Sequence, residues 1–185
     1  MLRYVKLFAL LISFLLPTTV NAEIPLSATR LLDVVQHRSN VLDEIKALDP
    51  YDRNQVLCMA LNLYHEARGE DNSHQWAVIH VVANRAKHSK YPSSVCEVIW
   101  EKGQFTWTRR ALEVNLPRER NAWKESQNKA YKLFTGESKA DPTNGATHFY
   151  RSHLRPVWSN KLVNRVQIGV HTFARIPERV INISK

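Results

Sequence analysis

The chain has 185 residues, with 26 Lys and Arg against 17 Asp and Glu for a formal charge of +9, and it contains only two cysteines. That length suffices for one domain of ordinary size whose core depends on neither a metal nor many disulfides. The positive surplus favours polyanionic partners. The basic residues are dispersed, however, and no RNP, zinc-finger or P-loop pattern appears, so no nucleic-acid partner is expected.

Residues 1–22 read as an export signal: Arg3 and Lys6 give a basic start, Leu7 to Leu16 an apolar stretch, and Val20-Asn21-Ala22 a small-residue cleavage site before Glu23. The apolar stretch is shorter than the ~20 residues of a membrane span. Cleavage is therefore expected, with no stable span afterwards, although a leader retained for a time is an alternative. Residues 23–51 form a helical extension, in which Leu31, Val34, Val35, Leu42, Ile45 and Leu48 predict one amphipathic helix over 29–48. It either caps the domain or docks elsewhere.

Asp49-Pro50 marks a break, and residues 52–185 form the main domain. Asp52 and Gln55 are spaced as a capping box, and Val56, Leu57, Ala60, Leu61 and Tyr64 repeat at helical period until Gly69 suits the C′ position. A second helix is expected over Asn72–Lys87, capped by Asn72 with Gln75 at N3, and carrying Trp76, Ile79, Val82, Ala83 and Ala86 inward. Ser93 or Ser94 caps a short helix that ends at Gly103. Another helix is expected over Glu119–Phe134, with Trp123, Ala130, Leu133 and Phe134 inward. From Thr147 the chain turns β-branched and aromatic, which predicts two or three short strands in 147–150 and 163–173. Helices first and strands last make the class α+β, mainly helical with a small C-terminal sheet.

The run Tyr64-His65-Glu66-Ala67-Arg68-Gly69-Glu70 ends the first of these long helices. If the helix continued, Glu66 and Glu70 would share a face and repel, raising the proton affinity of the more buried carboxyl. A carboxylic acid that stays protonated is what glycosidic cleavage needs, because the departing sugar oxygen must receive a proton. The alternative is a solvated ion-pair cluster of Arg68 with the two glutamates. A zinc peptidase is disfavoured: an H-E-x-x-H helix starting at His65 needs a second histidine where Gly69 stands, so no metal and no cofactor are expected.

Gln104, Phe105 and Trp107 follow a glycine-containing turn, where an amide and flat aromatic faces suit sugars, unless the rings are ordinary core. His148, Tyr150 and His171 are candidates to approach a cleft from the strands, Tyr150 the best of them. Trp158 either stacks on a sugar or fills the core, and Arg85 is read as structural, paired with a carboxylate. Cys58 and Cys96 form either a helix-to-helix disulfide, as export permits, or two buried thiols.

Longer blocks strengthen the reading. Ala60-Leu61-Asn62, Glu66 to Glu70, Gln75 to Val78, Val81 to Ala86, Tyr91 to Cys96, Gly103 to Thr108, Pro142 to Tyr150 and Ile168 to Phe173 fall in an order that resembles the SleB-like cell-wall hydrolases over roughly residues 52–176. The resemblance implies a lysozyme-like α+β fold and cleavage of peptidoglycan between N-acetylmuramic acid and N-acetylglucosamine. Glu66 matches the family's catalytic glutamate. Members typically act as lytic transglycosylases, in which one acid protonates the glycosidic oxygen and the muramic C6 hydroxyl closes a 1,6-anhydro ring. The expected substrate-binding set is Gln104, Phe105, Trp107, Tyr150, His148, Trp158, His171 and Glu70. Arg109-Arg110 and Ala174 depart from the family pattern and bear on subsite charge and shape. The alternatives are a hydrolytic muramidase using water and a non-catalytic wall-binding module. The expected setting is the periplasm or cell wall, as a monomer, in bacterial remodelling or phage lysis.

Overall fold

The computed structural model describes residues 24–110, 115–138 and 140–177, so the expected export signal lies outside the described residues. The helices are α1 (Leu26–Arg38), α2 (Asp43–Lys46), α3 (Pro50–Ala67), α4 (Asn72–Ala86), α5 (Val95–Trp100) and α6 (Arg120–Phe134). Short 3-10 turns, η1 (Thr106–Arg109) and η2 (Val157–Lys161), and strands β1 (His148–Arg151), β2 (Val163–Ile168) and β3 (His171–Arg175) complete the described part. The class is α+β, mainly helical with a small sheet late in the chain.

The capping residues differ from the expected ones because an aspartate placed before proline competes better. Asp49 accepts the backbone N–H groups of Tyr51 and Asp52 at 2.9 and 3.2 Å, and Pro50 at N1 sacrifices no helical bond. Gln55, freed from capping, accepts the backbone N–H of Cys96 at 3.1 Å and so ties α5 to α3. Likewise Asp71, not Asn72, caps α4 through the His74 N–H at 2.8 Å. The expected single helix over 29–48 is two, broken at Ser39–Leu42, where the extended chain is held by Gln127. The Gln127 side chain accepts from the Leu42 N–H and donates to the Asn40 carbonyl, both at 2.9 Å. Phe134, expected inward, is exposed at the end of α6.

Helix α3 is the central element: Val56 to Tyr64 are all buried, and α4, α5 and α6 pack around it. Leu31, Leu32, Val35 and Ile45 of the N-terminal helices join the same core. Burying each such side chain contributes about 1.5–3 kcal/mol. Cys58 and Cys96 are joined in a disulfide that links α3 to α5.

The strands form an antiparallel sheet in the order β1-β3-β2. Strand alternation divides it into two faces. Phe149 and Phe173, directly paired and stacked 5.7 Å apart, lie on the inner face that meets α4, whereas Tyr150 and Thr172 lie on the outer one. The β2–β3 register is irregular between Val163 and Val166, where Asn164 adopts φ +52°.

Candidate functional site

Glu66 stands in the last turn of α3, half-buried, and its carboxyl makes no hydrogen bond or ion pair among the described residues. Burial raises its pKa above the ordinary carboxylate value, and the guanidinium groups of Arg110 and Arg85 pull the other way without cancelling the effect. The helix stops at Ala67, Arg68 is extended, and Gly69 at φ +85° turns the chain away. Glu70 therefore leaves the face of Glu66, contrary to the shared face expected had the helix continued. Its Oε2 lies 3.5 Å from His74 Nδ1. The ion-pair cluster of Arg68 with the two glutamates does not form either: Arg68 Nε donates to Glu119 at 2.9 Å, and its guanidinium covers the Tyr64 ring at 4.9 Å.

The residues beside Glu66 are locked by their own partners. The Tyr64 hydroxyl accepts the backbone N–H groups of Arg118 and Glu119 at 3.1 and 3.2 Å. His65 stacks on Trp107 with ring centres 4.5 Å apart, and its Nε2 lies 3.0 Å from the Asn115 carbonyl, so that nitrogen carries the hydrogen. Burial pushes the His65 pKa down to about 4, leaving the ring neutral. Trp107 donates its indole N–H to Asn62 Oδ1 at 3.0 Å.

Phe105 and Trp107 are accordingly core residues, 3% and 2% exposed, and present no face to a sugar. This corrects the expectation that they stack on substrate. Trp107 is held by Asn62 and His65, and Phe105 lies under the Arg85 guanidinium at 5.4 Å. Gln104 is half-buried at the end of the turn that precedes η1.

Arg85 is structural, as expected, but its direct partner is a backbone group. Among the described residues it makes no direct ion pair; its Nε donates to the Thr147 carbonyl at 2.7 Å, the guanidinium approaches the Tyr91 ring at 5.5 Å, and the Glu101 carboxylate acts on it through space. Its Nη1 is buried without a hydrogen-bond partner. The same guanidinium acts electrostatically on Glu66 and on His148, whose pKa is driven to about 4 by burial first and Arg85 second. Arg85 thus links the end of α3 to the start of β1. The signal in the sequence was a lone arginine on the inward side of an apolar helix.

The strand candidates separate by face. His148 and Tyr150 lie on the outer face, where both touch Trp158 with ring centres 5.7 and 5.5 Å away. Trp158, on η2, is 48% exposed, so it does not fill the core. His171 lies on the inner face, stacked on His74 at 4.7 Å and edge-on to Phe149. The expectation that all three strand residues approach one cleft is corrected: His171 is drawn into the helix–sheet packing instead. Among the described residues, no group of three or more His, Cys, Asp and Glu side chains is placed to hold a metal ion.

A family model for cell wall hydrolases matches residues 69–174, a span that begins three residues after Glu66. A spore cortex-lytic enzyme of Oceanobacillus iheyensis is 28% identical over 129 residues, which are 68% of this chain and 43% of that enzyme. The chain thus spans less than half the length of that curated relative. Among solved structures, the catalytic domain of the germination-specific lytic transglycosylase SleB from Bacillus anthracis matches with TM-score 0.50 and 25% identity, over 70% of this chain and 98% of that domain. The catalytic domain of the Bacillus cereus SleB protein matches with TM-score 0.51 and 27% identity, over 75% and 98%. The α+β fold is lysozyme-like.

Proposed function

The chain belongs to the SleB-like cell wall hydrolase family, and from that premise we propose that it is an enzyme that cleaves peptidoglycan between N-acetylmuramic acid and N-acetylglucosamine. The proposed reaction is that of a lytic transglycosylase, with Glu66 as acid and then base. The observation that carries this reading is the half-buried Glu66 carboxyl, without a hydrogen bond or ion pair among the described residues, whose proton affinity is raised by burial. A group of that kind keeps its proton long enough to deliver it to a departing sugar oxygen.

In the proposed sequence, the Glu66 carboxyl protonates the glycosidic oxygen as its bond to the muramic C1 breaks. The carboxylate left behind takes the proton of the muramic C6 hydroxyl, whose oxygen bonds to C1. One carbon–oxygen bond is lost, one is formed, no water is consumed, and Glu66 recovers its proton. Between those steps Glu66 is a carboxylate, balanced by the positive charge left on the muramic C1, and the nearby Arg85 and Arg110 favour that ionised form of Glu66. This economy of one carboxyl group distinguishes the route from one needing a spaced carboxylate pair.

We place the action at the cell wall, outside the cytoplasm. The Cys58–Cys96 disulfide supports that placement because such bonds persist in oxidising compartments. Residues 1–22 would serve as the export signal.

Mass spectrometry of peptidoglycan digested with the purified chain tests the proposal. It is expected to find 1,6-anhydro muramic ends, and the Glu66→Gln variant is expected to release them about 10²–10⁴-fold more slowly. Reducing ends, one water heavier, would mean hydrolysis with water. Undiminished cleavage by Glu66→Gln would remove Glu66 from the mechanism, and binding without cleavage by the unmutated chain would leave a wall-binding module.

A further inference from the structure

Opposite the face that packs on α4, the sheet carries a second, polar hollow. Between residues 142 and 177 the sequence has four arginines and one lysine and not one Asp or Glu. Two of those arginines, Arg155 and Arg165, line a cavity of about 440 Å³ together with Tyr150, Ser152, Ser159 and Thr172. We propose that this cavity is a carboxylate-binding subsite, and that its occupant is the acidic peptide branch of a wall strand whose glycan lies at Glu66.

Four observations carry the assignment. The first is charge: two arginines and no acidic residue line the cavity, so nothing in its wall neutralises them. The second is that one guanidinium is free while the other is fixed. Arg165 Nη2 donates to the Ser159 carbonyl at 2.6 Å, whereas the Arg155 side chain has no hydrogen bond or ion pair among the described residues. Arg155 also adopts φ +39°, a left-handed backbone that an L residue with a long side chain rarely takes.

The third observation concerns the hydroxyls. Ser152 Oγ, just past β1, and Thr172 Oγ1 on β3 are 2.9 Å apart and bonded to each other. One of the two O–H groups is used in that bond, and the other is left as a donor to the same wall. A planar anion flanked by arginine forks and a hydroxyl donor is what such a wall recognises best. The fourth is the apolar surface nearby. Trp158, in ring contact with Tyr150, is 48% exposed, and Leu154 and Val157, within two residues of Arg155 in sequence, are 63% and 85% exposed. A peptide carrying carboxylates among small methyl groups fits that mixture, whereas a phosphate-rich polymer would leave the apolar surface idle.

A chain of contacts connects the cavity wall with the candidate acid. From Arg85, whose charge acts on Glu66, the path runs through the Thr147 carbonyl to the neighbouring His148, then Trp158 and Tyr150, which lines the cavity. This inference rests on the reading of Glu66 as the glycan-cleaving acid, and its test is built so that the two fail separately.

The purified chain is assayed on peptidoglycan strands bearing peptides and on the same strands stripped of them, and its binding to a soluble muramyl tetrapeptide is measured by calorimetry. The tetrapeptide is compared with its carboxyl-amidated form and with a phosphate-rich wall polymer. Amidation is expected to weaken binding about tenfold or more, the range of a lost charge-assisted contact. Arg155→Gln is expected to raise KM on peptide-bearing strands about tenfold more than on stripped ones, with kcat held. Lys132→Gln, an exposed charge change on α6, controls for net charge. Arg165→Gln loses the Ser159 contact too, so Arg155→Gln with an unchanged melting temperature is the decisive variant.

Equal binding of the acid and its amide, equal effects of Arg155→Gln on both strands, or tighter binding of the phosphate polymer would each overturn the subsite. If the tetrapeptide binds through its carboxylates and neither strand is cleaved, the subsite stands and the catalytic reading falls. If both strands are cleaved and the tetrapeptide does not bind, the reverse holds.

Discussion

Around the end of α3, polar side chains are spent on the fold; beside the outer face of the sheet, Arg155 is left open while its neighbours Arg165, Ser152 and Thr172 are bonded. Tyr64, His65, Asn62 and Trp107 each bond or stack within the helical core, and among the described residues the Glu66 carboxyl has no hydrogen bond or ion pair. In the connection from β1 to η2, Arg155 is unbonded among the described residues, and on η2 Trp158 and Val157 are exposed. The contrast assigns different work to the two regions. A buried frame with one unsatisfied acid holds a proton in place, whereas an open basic wall meets something large and acidic. Arg85 belongs to both, since it reaches the Thr147 carbonyl and acts on Glu66 and His148 alike.

The contrast can be broken by mutation. Phe173 is fully buried between Phe149 and His74 and is the point where sheet and helices share a core. Phe173→Ala is expected to cost about 3–5 kcal/mol in chemical denaturation. Trp158→Ala, on the outer face, is expected to stay within about 0.5 kcal/mol. Similar losses from the two would mean that the outer face is part of the core after all.

Acidity sharpens the comparison with a smaller effect. His65 and His148 are both held at about 4 by burial, against 6.5 in an unfolded chain, and His74 and His171 are lowered as well. Between those values the unfolded chain binds more protons, so stability increases with pH across the window. The histidine contribution is complete above about pH 6.5 and lost as pH falls toward 4; Glu66, shifted upward, works in the opposite sense. Melting curves are expected to be level from neutral pH upward and to fall steadily below about 6.5. A melting temperature that rose on acidification would show that the histidines are not held neutral by the fold.

Much of the frame was legible because it follows local rules. Apolar residues at helical period, a glycine past the end of α3, and β-branched runs after Thr147 locate α3, α4, α6 and β1 to within a residue or two. The failures were local competitions and distant contacts. Asp49 and Asp71 outbid Asp52 and Asn72 as caps because each stands one or a few positions nearer the true start. The break between α1 and α2 depends on Gln127, more than eighty residues away, which no local pattern reveals. At the candidate site, Glu66 stood out through its neighbours in sequence, but the fates of Trp107 and Arg85 were set across the fold. An aromatic beside a turn reads the same whether it meets a sugar or, as here, His65 and Asn62. Tyr150 and His171 sit on opposite sheet faces, which strand alternation determines only once the register is known.

The account stands on a carboxyl group that keeps its proton, and that property is open to direct measurement. Following the Glu66 side-chain carbon by NMR through a pH titration, with Glu66→Gln to identify its signal, is expected to place the midpoint above the ordinary value of 4.5, and Arg110→Gln is expected to move it higher still. A midpoint at or below 4.5 in the folded chain would contradict the claim that α3 presents a proton donor.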